Sequence, residues 1–202
     1  MISLCTFVKN EAHCIEHMLN SAIKFVDEIV VVDTGSTDAT LTIAKAYDAR
    51  IYQVGFTDFA SIRTLTAHLA TEPWVLMLDA DETITEADQL RKLVMLHEND
   101  AYAFPRKRWL DLEMTQQTEI EAYPDYQVRL FRNDVSYIWQ RELHEFFHGA
   151  KVTHVDDGPI LHHFQDVFKD ADKNQIRKEL YRELAKKITC APEEEALFKQ
   201  YE

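Results

Sequence analysis

The segment from Trp74 to Glu82 limits the possible folds more than any other part of this sequence. Five apolar residues, 74–78, run directly into the acidic stretch Asp79-Ala80-Asp81-Glu82. A continuous apolar run of this length is typical of a strand buried on both faces, as in a mostly parallel sheet. Such sheets bind ligands at the carboxyl ends of their strands. Because clustered carboxylates repel one another unless a cation compensates, the segment predicts a divalent metal and a phosphorylated ligand.

Composition excludes several classes of protein. The chain has 202 residues with 46% hydrophobic residues, which is enough for one domain with a core, or one domain with a small appendage. A net charge of −13 repels phosphate backbones, so we expect no nucleic-acid partner. The cysteines Cys5, Cys14 and Cys190 have no metal-type spacing, which indicates reduced thiols in a cytosolic protein.

The sequence predicts no membrane-spanning segment. No apolar run approaches the ~18 residues that a transmembrane helix needs, and the start has no basic leader. We therefore expect a cytoplasmic protein. The basic stretch Arg106-Lys107-Arg108 leaves peripheral contact with the inner face of a membrane open.

The order of the elements predicts an α/β fold. Strand and helix alternate up to about residue 97, which implies a parallel sheet flanked by helices. Beyond residue 100, short strands follow one another without long helices. We divide the chain into a domain at 1–170 and a helical extension packed on it at 171–202. Predicted strands cover 2–8, 27–33, 51–54, 74–78, 101–104, 127–131, 136–139, 151–154 and 160–164, and predicted helices cover 12–24, 38–48, 58–70 and 85–97, with a closing helix that aligns Ile176, Leu180, Leu184 and Ile188 and a last short one after Pro192.

Two acidic tips follow buried strands and should lie at the same edge of the sheet. Asp33 begins the turn 33–38, and its carboxylate can accept from the imide N–H of a uracil or from a ribose hydroxyl. The turn also reads as a helix start capped by Ser36 or Thr37. At the second tip, Asp79 and Asp81 suit Mg²⁺ or Mn²⁺ shared with substrate phosphates. The alternative there is an acidic loop that caps the following helix.

Further candidates are single residues with two interpretations each. Arg63 could pair with a base carbonyl or a diphosphate, or be a solvated charge. Glu145 lies among aromatic residues, which should raise its pKa and suit a general base, or it is a charge on a half-exposed strand. Strand alternation turns one ring of His162-His163 inward. One of them could complete a metal site begun by Asp81, or both are structural.

With these pieces in order, the chain resembles glycosyltransferase family 2, the inverting nucleotide-sugar transferases with a GT-A fold. The resemblance covers about residues 2–165 and is carried by motifs in the family's order and spacing. It is closest to the branch of bacterial lipopolysaccharide-core glucosyltransferases. The matching segments are Val8-Lys9-Asn10-Glu11, 31–38, 58–63 and 78–82 in the first half, and 129–133, His144-Glu145 and 160–162 in the second.

The resemblance implies a Rossmann-like sheet with a mixed second half, and it implies roles for individual residues. On the donor side, Asp33 and Arg63 would hold the uracil, Glu11 would lie near the nucleoside, and Asp79 would touch the ribose. Val8 would border the nucleotide.

For the reaction, the resemblance assigns a cation and a base. Asp81 would bind Mn²⁺ or Mg²⁺ on the diphosphate, with His162 as a further ligand or diphosphate contact. Glu145 would be the catalytic base. Arg129 and His144 would lie on the acceptor or diphosphate side.

These roles predict a metal-dependent hexosyltransferase. It would move a sugar, expected to be glucose, from a UDP-sugar to a hydroxyl of a cell-envelope glycan or glycolipid acceptor such as lipopolysaccharide core. Two alternatives stay open. A sugar nucleotidyltransferase would need a basic, glycine-rich loop near the first strand, where this chain has Lys9-Asn10-Glu11. A non-catalytic module that binds a nucleotide-sugar is the other.

Overall fold

The computed structural model describes residues 1–96, 99–118, 124–141, 145–168 and 171–185. Strands and helices alternate in the first half, and strands dominate the second, as the sequence predicts. In chain order the elements are β1 (Ile2–Val8), α1 (Ile15–Ala22), β2 (Glu28–Asp33), α2 (Thr40–Ala46), β3 (Arg50–Gln53), α3 (Phe59–His68), β4 (Trp74–Met77), β5 (Glu82–Thr85), a 3-10 turn (Ala87–Gln89), α4 (Leu90–Met95), β6 (Ala101–Arg108), β7 (Asp125–Arg132), β8 (Ile138–Gln140), β9 (Phe146–His148), β10 (Val152–His154), β11 (Ile160–His163) and α5 (Ala171–Ala185).

Within these described residues, one nine-stranded mixed sheet organises the fold. Its order is β3-β2-β1-β4-β7-β6-β11-β5, and β10 pairs with β6 beside that path. The first four strands in this order run parallel, and β7 is antiparallel to both β4 and β6. Strands β8 and β9 form a separate antiparallel hairpin. The predicted fold class, a mostly parallel sheet flanked by helices with a mixed second half, is confirmed.

Both faces of the central strands are buried, as the apolar runs predict. Along β1, Leu4 belongs to one apolar cluster and Cys5 to the other, and along β4 Leu76 and Met77 divide in the same way. Alternate residues of a strand point to opposite faces, so each strand supplies both clusters. A fully buried leucine contributes about 1.5–3 kcal/mol to folding. The acidic residues that follow these strands are thereby held by a rigid base.

The region after the DxD sequence differs from its prediction. Instead of a helix from Thr85 to His97, the chain forms β5, a 3-10 turn and the short helix α4. The β-branched residues 83–85 favour a strand, and β5 pairs antiparallel with β11, a contact that local sequence does not reveal. Glu86 then takes a left-handed backbone conformation with φ of 54°, which separates the strand from the helix. His97 lies outside the described residues.

The C-terminal helix α5 contacts the domain through Tyr181, whose ring centroid lies 5.7 Å from that of Phe59. Leu184 is buried, whereas Ile176 is 67% exposed, so the predicted apolar face is buried only in part. The predicted helix after Pro192 lies outside the described residues, and the division at residue 170 stays a prediction. Among the helices that the structure describes, none has both the length and the apolar character needed to cross a membrane.

Candidate functional site

The two acidic tips lie at the same edge of the sheet. Asp33 is the register partner of Val8 at the ends of β2 and β1. On the other side of β1, the backbone N–H of Leu78 donates to the carbonyl of Cys5, and Asp79 follows. Since β2 and β4 both pair with β1, the tips are separated by two strand spacings, about 10 Å. One cleft can therefore contain both.

Asp33 is an oriented and buried carboxylate. Its Oδ1 accepts from the backbone N–H of Ser36 at 2.9 Å, and its Oδ2 accepts from Nε2 of Gln53 at 3.3 Å. Burial raises the pKa of the Asp33 carboxyl, but the hydrogen bonds from Ser36 and Gln53 outweigh it, so the pKa lies below its ordinary value. Gly35, with φ of 110°, allows the tight turn. The result is an anionic acceptor at the sheet edge.

The loop after β1 is tied to the turn after β2. The backbone N–H of Asn10 donates to Oγ of Ser36 at 2.9 Å, and the N–H of Glu11 donates to Oγ1 of Thr40 at 2.8 Å. In return, Oδ1 of Asn10 accepts from the N–H of Thr37 at 2.7 Å. These bonds place Glu11 at the same edge as the two acidic tips, and its contact with a nucleoside stays a prediction.

The first acid of the DxD sequence lies between two buried arginines. Oδ1 of Asp79 accepts from Nη2 of Arg63 at 2.9 Å, and Oδ2 accepts from Nη2 of Arg129 at 2.8 Å. Arg129 also forms a fork on Glu82, with bonds of 2.9 and 2.8 Å. Burial raises the pKa of the Asp79 carboxyl, but the guanidinium groups of Arg63 and Arg129 hold it well below its usual range. Asp79 is thus an anion that joins α3 to β7.

The contacts of Arg129 differ from those that the sequence predicts. An acceptor or diphosphate contact was expected, yet Arg129 is buried and its described bonds go to Asp79 and Glu82. Burial lowers the pKa of the guanidinium, but Glu82 and Asp79 outweigh it and raise the pKa, so Arg129 stays charged. That Glu82 balances this charge was not predicted, because the pairing of β5 that buries its carboxylate depends on contacts distant in the sequence.

Arg63 forms an ion pair with Glu145. Its Nε donates to Oε1 of Glu145 at 2.8 Å, while its Nη2 is bound to Asp79. The guanidinium carbon lies 5.1 Å from the ring centroid of Phe7 and 5.0 Å from that of Trp139. Both rings lie within cation–π distance of the guanidinium. Two of its nitrogens are bound to carboxylates, and the predicted uracil contact of Arg63 stays a prediction.

Glu145 reaches this position because the β8–β9 hairpin docks on α3. The backbone N–H of Trp139, in β8, donates to Oγ1 of Thr64 at 2.8 Å. Glu145 directly precedes β9 and is half-buried. Arg63 is the ion-pair partner of this carboxylate. His144, predicted beside it, lies outside the described residues.

His163, not His162, is the histidine beside the second acid of the DxD. Its Nε2 lies 3.3 Å from Oδ2 of Asp81. The two chain segments are also joined by the backbone, since the N–H of Phe164 donates to the carbonyl of Asp81 at 2.9 Å. The sequence left the facing histidine of the pair open but chose His162 as the ligand, and the structure corrects that choice.

His162 is a structural histidine on the opposite face of β11. Its Nδ1 accepts from the indole Nε1–H of Trp109 at 2.9 Å, and its Nε2 lies 2.9 Å from Oγ1 of Thr85. An indole only donates, so we assign the proton of the neutral ring to Nε2, which donates to Thr85. Burial, and then the nearby charge of Lys107, lower the pKa of His162 to about 4. Both ring nitrogens are therefore occupied.

Two groups of side chains could be considered for a cation. Ligands of one octahedral Mg²⁺, each about 2.1 Å from it, lie about 3 Å apart, so the 3.3 Å between Asp81 and His163 fits a shared ion. The other group is Glu11, His13 and Cys14, whose ligand atoms lie within 4.8 Å of one another. A thiol is a softer ligand than Mg²⁺ or Mn²⁺ prefers. The carboxylate–imidazole pair is the better fit.

Sequence comparison places the chain among known proteins. The family model described as glycosyl transferase family 2 matches residues 3–157. A TPR repeat-containing protein of Synechococcus elongatus is 34% identical over 146 residues, which cover 71% of this chain and 34% of that protein. An uncharacterized glycosyltransferase of Rickettsia felis is 32% identical over 103 residues, which cover 50% of this chain and 36% of that protein. The chain spans about a third of the length of these curated relatives.

Solved structures show the same fold. The crystal structure of S. aureus TarS 1-349 superposes with a TM-score of 0.59 at 19% identity, covering 99% of this chain and 68% of that one. The same TarS fragment in complex with UDP-GlcNAc gives 0.59 at 18% identity, covering 99% and 70%. The likeness shows a GT-A-like α/β fold, with a mostly parallel mixed sheet flanked by helices.

Proposed function

The chain belongs to glycosyl transferase family 2, and from this premise we propose that it transfers a sugar from a UDP-sugar to an acceptor hydroxyl with inversion. The observation that carries the proposal is the pair of Asp81 and His163, 3.3 Å apart, at the sheet edge that also holds Asp33. This arrangement offers a cation site at Asp81, two residues beyond the tip at Asp79, and a carboxylate at Asp33 that can bind a nucleobase. A nucleoside diphosphate has a nucleobase at one end and a diphosphate at the other, which suits two such groups.

The donor would be recognised mainly by Asp33. Its carboxylate, oriented by Ser36 and Gln53, would accept from the imide N–H of uracil. Glu11 and Val8 border the same place and would contact the nucleoside. That TarS has been crystallised with UDP-GlcNAc supports a uridine nucleotide as the donor. Asp79 keeps its predicted ribose contact as a proposal, since 27% of its side chain is exposed.

Asp81 and His163 would hold Mn²⁺ or Mg²⁺. When bound there, such an ion neutralises the charge that develops on the diphosphate leaving group. His163 replaces His162 in this role because its Nε2 faces the carboxylate. Its buried Nδ1 is the nitrogen that would donate to a neighbouring acceptor, an arrangement common to metal-binding histidines.

Glu145 would be the general base. Because Arg63 binds Oε1, we assign acceptance of the proton from the attacking hydroxyl to Oε2. Arg63 would act as a positioning residue, since it joins Glu145 to Asp79 and contacts the rings of Phe7 and Trp139. The geometry therefore links the base to the donor side through one guanidinium.

The finer identities follow from the resemblance alone. A cell-envelope glycan such as lipopolysaccharide core as the acceptor, glucose as the sugar, and a place at the inner face of the membrane are proposals on that basis. The chain spans about a third of the length of its curated relatives. The reaction with the UDP-sugar donor alone is therefore tested first, before any acceptor is added.

Release of UDP tests the proposal without an acceptor. The chain is incubated with UDP-glucose, UDP-galactose and UDP-GlcNAc, each with Mn²⁺ or with EDTA, and free UDP is measured over hours. We expect slow hydrolysis of at least one donor that requires Mn²⁺ and is lost in Asp81→Asn. Absence of both UDP release and binding of any of these donors would contradict the proposal.

A further inference from the structure

A row of side chains crosses the sheet next to the proposed cation site. Glu82 of β5 pairs with His163 of β11, and His163 pairs with Arg108 of β6. Beyond β6 a bridge between Trp109 and Gln117 continues the ladder, and the N–H of Thr118 donates to the carbonyl of Arg108. Register partners on neighbouring strands point to the same face. The row therefore runs from the 82 position through 163 and 108 to Thr118.

Three members of this row each carry a buried polar atom without a hydrogen-bond partner in the described part of the chain. These atoms are Nδ1 of His163, Nε of Arg108 and Oγ1 of Thr118. A buried polar group without a partner is destabilising, so three in adjacent positions require an explanation. All three can donate: an imidazole N–H, a guanidinium N–H and a hydroxyl. Their shared partner would be an acceptor with several oxygens.

The charge of Arg108 is only weakly balanced by the residues that the structure describes around it. Its Nη2 lies 3.9 Å from Oδ2 of Asp125, which is beyond hydrogen-bonding distance. Asp125 is already engaged, since it accepts two bonds from Arg106 and one from Gln127. The Arg108 side chain is 40% exposed, so the row can be reached from solvent at its middle member.

We propose that Arg108, Thr118 and His163 bind a phosphate group carried by the acceptor. This inference rests on the proposed function, because it places the phosphate beside Asp81, where the acceptor would meet the donor. Three donors on adjacent strands can each bind a separate oxygen, which suits a tetrahedral anion better than a planar carboxylate. In a chain with a net charge of −13, this local set of donors attracts an anion that the rest of the surface repels.

Inorganic phosphate is the probe. It is titrated into the full chain by calorimetry at constant ionic strength, once without UDP and once with UDP and Mg²⁺ at saturating concentration so that the donor site is filled. We expect saturable binding by the wild type. Arg108→Gln and Thr118→Val should each lower the affinity about tenfold or more, because each removes one donor to an anion. Thr118→Ser keeps the hydroxyl and should retain the affinity.

Lys107→Gln is the matched control, since it removes the same charge from the neighbouring residue on the other face of β6. It should bind phosphate as the wild type does, and circular dichroism checks that every variant is folded. Equal losses in Lys107→Gln and Arg108→Gln would overturn the proposal, since general charge would then explain binding.

Two further outcomes separate this inference from the proposed function. If UDP binds and phosphate does not, the phosphate site is wrong and the donor proposal is untouched. If phosphate binds only without UDP, the row serves the donor diphosphate, and the acceptor assignment is overturned. If UDP itself fails to bind, the proposed function is contradicted and the acceptor assignment falls with it, while saturable phosphate binding sensitive to Arg108→Gln would show an anion site of another role.

Discussion

The Nε of Arg63 donates a 2.8 Å hydrogen bond to Oε1 of Glu145, which lies 82 residues further along the chain. The same guanidinium binds Asp79, the first acid of the DxD sequence. One buried cation therefore fixes the proposed base relative to the proposed donor site. These two bonds of Arg63 would set the distance between Glu145 and the anomeric carbon of the donor. That distance would then not depend on the mobility of a surface loop.

Replacement of Glu145 by glutamine tests the base. Glu145→Gln keeps the shape and removes the proton acceptor, so transfer should fall by about 10²–10⁴-fold while the affinity for UDP is retained. Steady-state kinetics and calorimetry measure the two quantities. Glu16→Gln, at an exposed position of α1, is the control and should keep full activity. Turnover by Glu145→Gln at the rate of the wild type would remove Glu145 from the mechanism.

The two adjacent histidines should separate metal binding from stability. His163→Ala removes the imidazole beside Asp81, so it should abolish the gain in UDP affinity that Mn²⁺ gives. His162→Ala breaks the contacts with Trp109 and Thr85, so it should lower the free energy of unfolding and leave the Mn²⁺ effect in place. Binding with and without Mn²⁺, together with urea unfolding, measures both. The reverse pattern would restore His162 as the ligand.

Arg129 should be a determinant of stability. Arg129→Met leaves the buried carboxylate of Glu82 without its main partner and removes one of the two arginines that bind Asp79, which should cost about 3–5 kcal/mol in urea unfolding. Arg91→Met breaks a surface pair with Asp27 and should cost about 0–1 kcal/mol. The double variant Arg129→Met with Glu82→Gln should recover part of the loss. Equal costs for the two arginines would contradict the buried network.

His162 should make stability depend on pH in a defined window. Its pKa is about 4 in the folded protein against an ordinary 6.5, so the unfolded chain binds the proton more tightly. The contribution is fully present above pH 6.5 and is lost as the pH falls through 4. It amounts to about 3 kcal/mol at most. Urea unfolding at several pH values between 7 and 4.5 gives the free energy of unfolding as a function of pH. This free energy should fall less steeply with decreasing pH in His162→Gln than in the wild type. Equal pH dependence in the two proteins would contradict the buried neutral ring.

Much of the fold and part of the site could be predicted from the sequence. Apolar runs fix where β1, β2 and β4 end, and the parallel order then places Asp33 and Asp79 at one edge. This inference needs only local patterns and one topological rule. The same reasoning located Glu11 and the motif that contains Asp81.

What the sequence did not predict depends on long-range pairing. Which histidine faces Asp81 is set by the register between β11 and β5, and residues 82–85 were expected to lead into a helix. The bond between Arg63 and Glu145 requires the β8–β9 hairpin to dock on α3, through Trp139 and Thr64. No periodicity within the hairpin or within α3 predicts these contacts. The arginine that the sequence assigned to a uracil is therefore found bound to Glu145, the proposed catalytic base.

The cation site at Asp81 is tested by calorimetric titration of UDP, with and without Mn²⁺, into the wild type and Asp81→Asn. We expect Mn²⁺ to strengthen binding to the wild type by about tenfold or more, equivalent to about 1.4 kcal/mol, and to have no such effect on Asp81→Asn. Absence of UDP binding to the wild type, or equal affinities with and without Mn²⁺, would contradict this expectation.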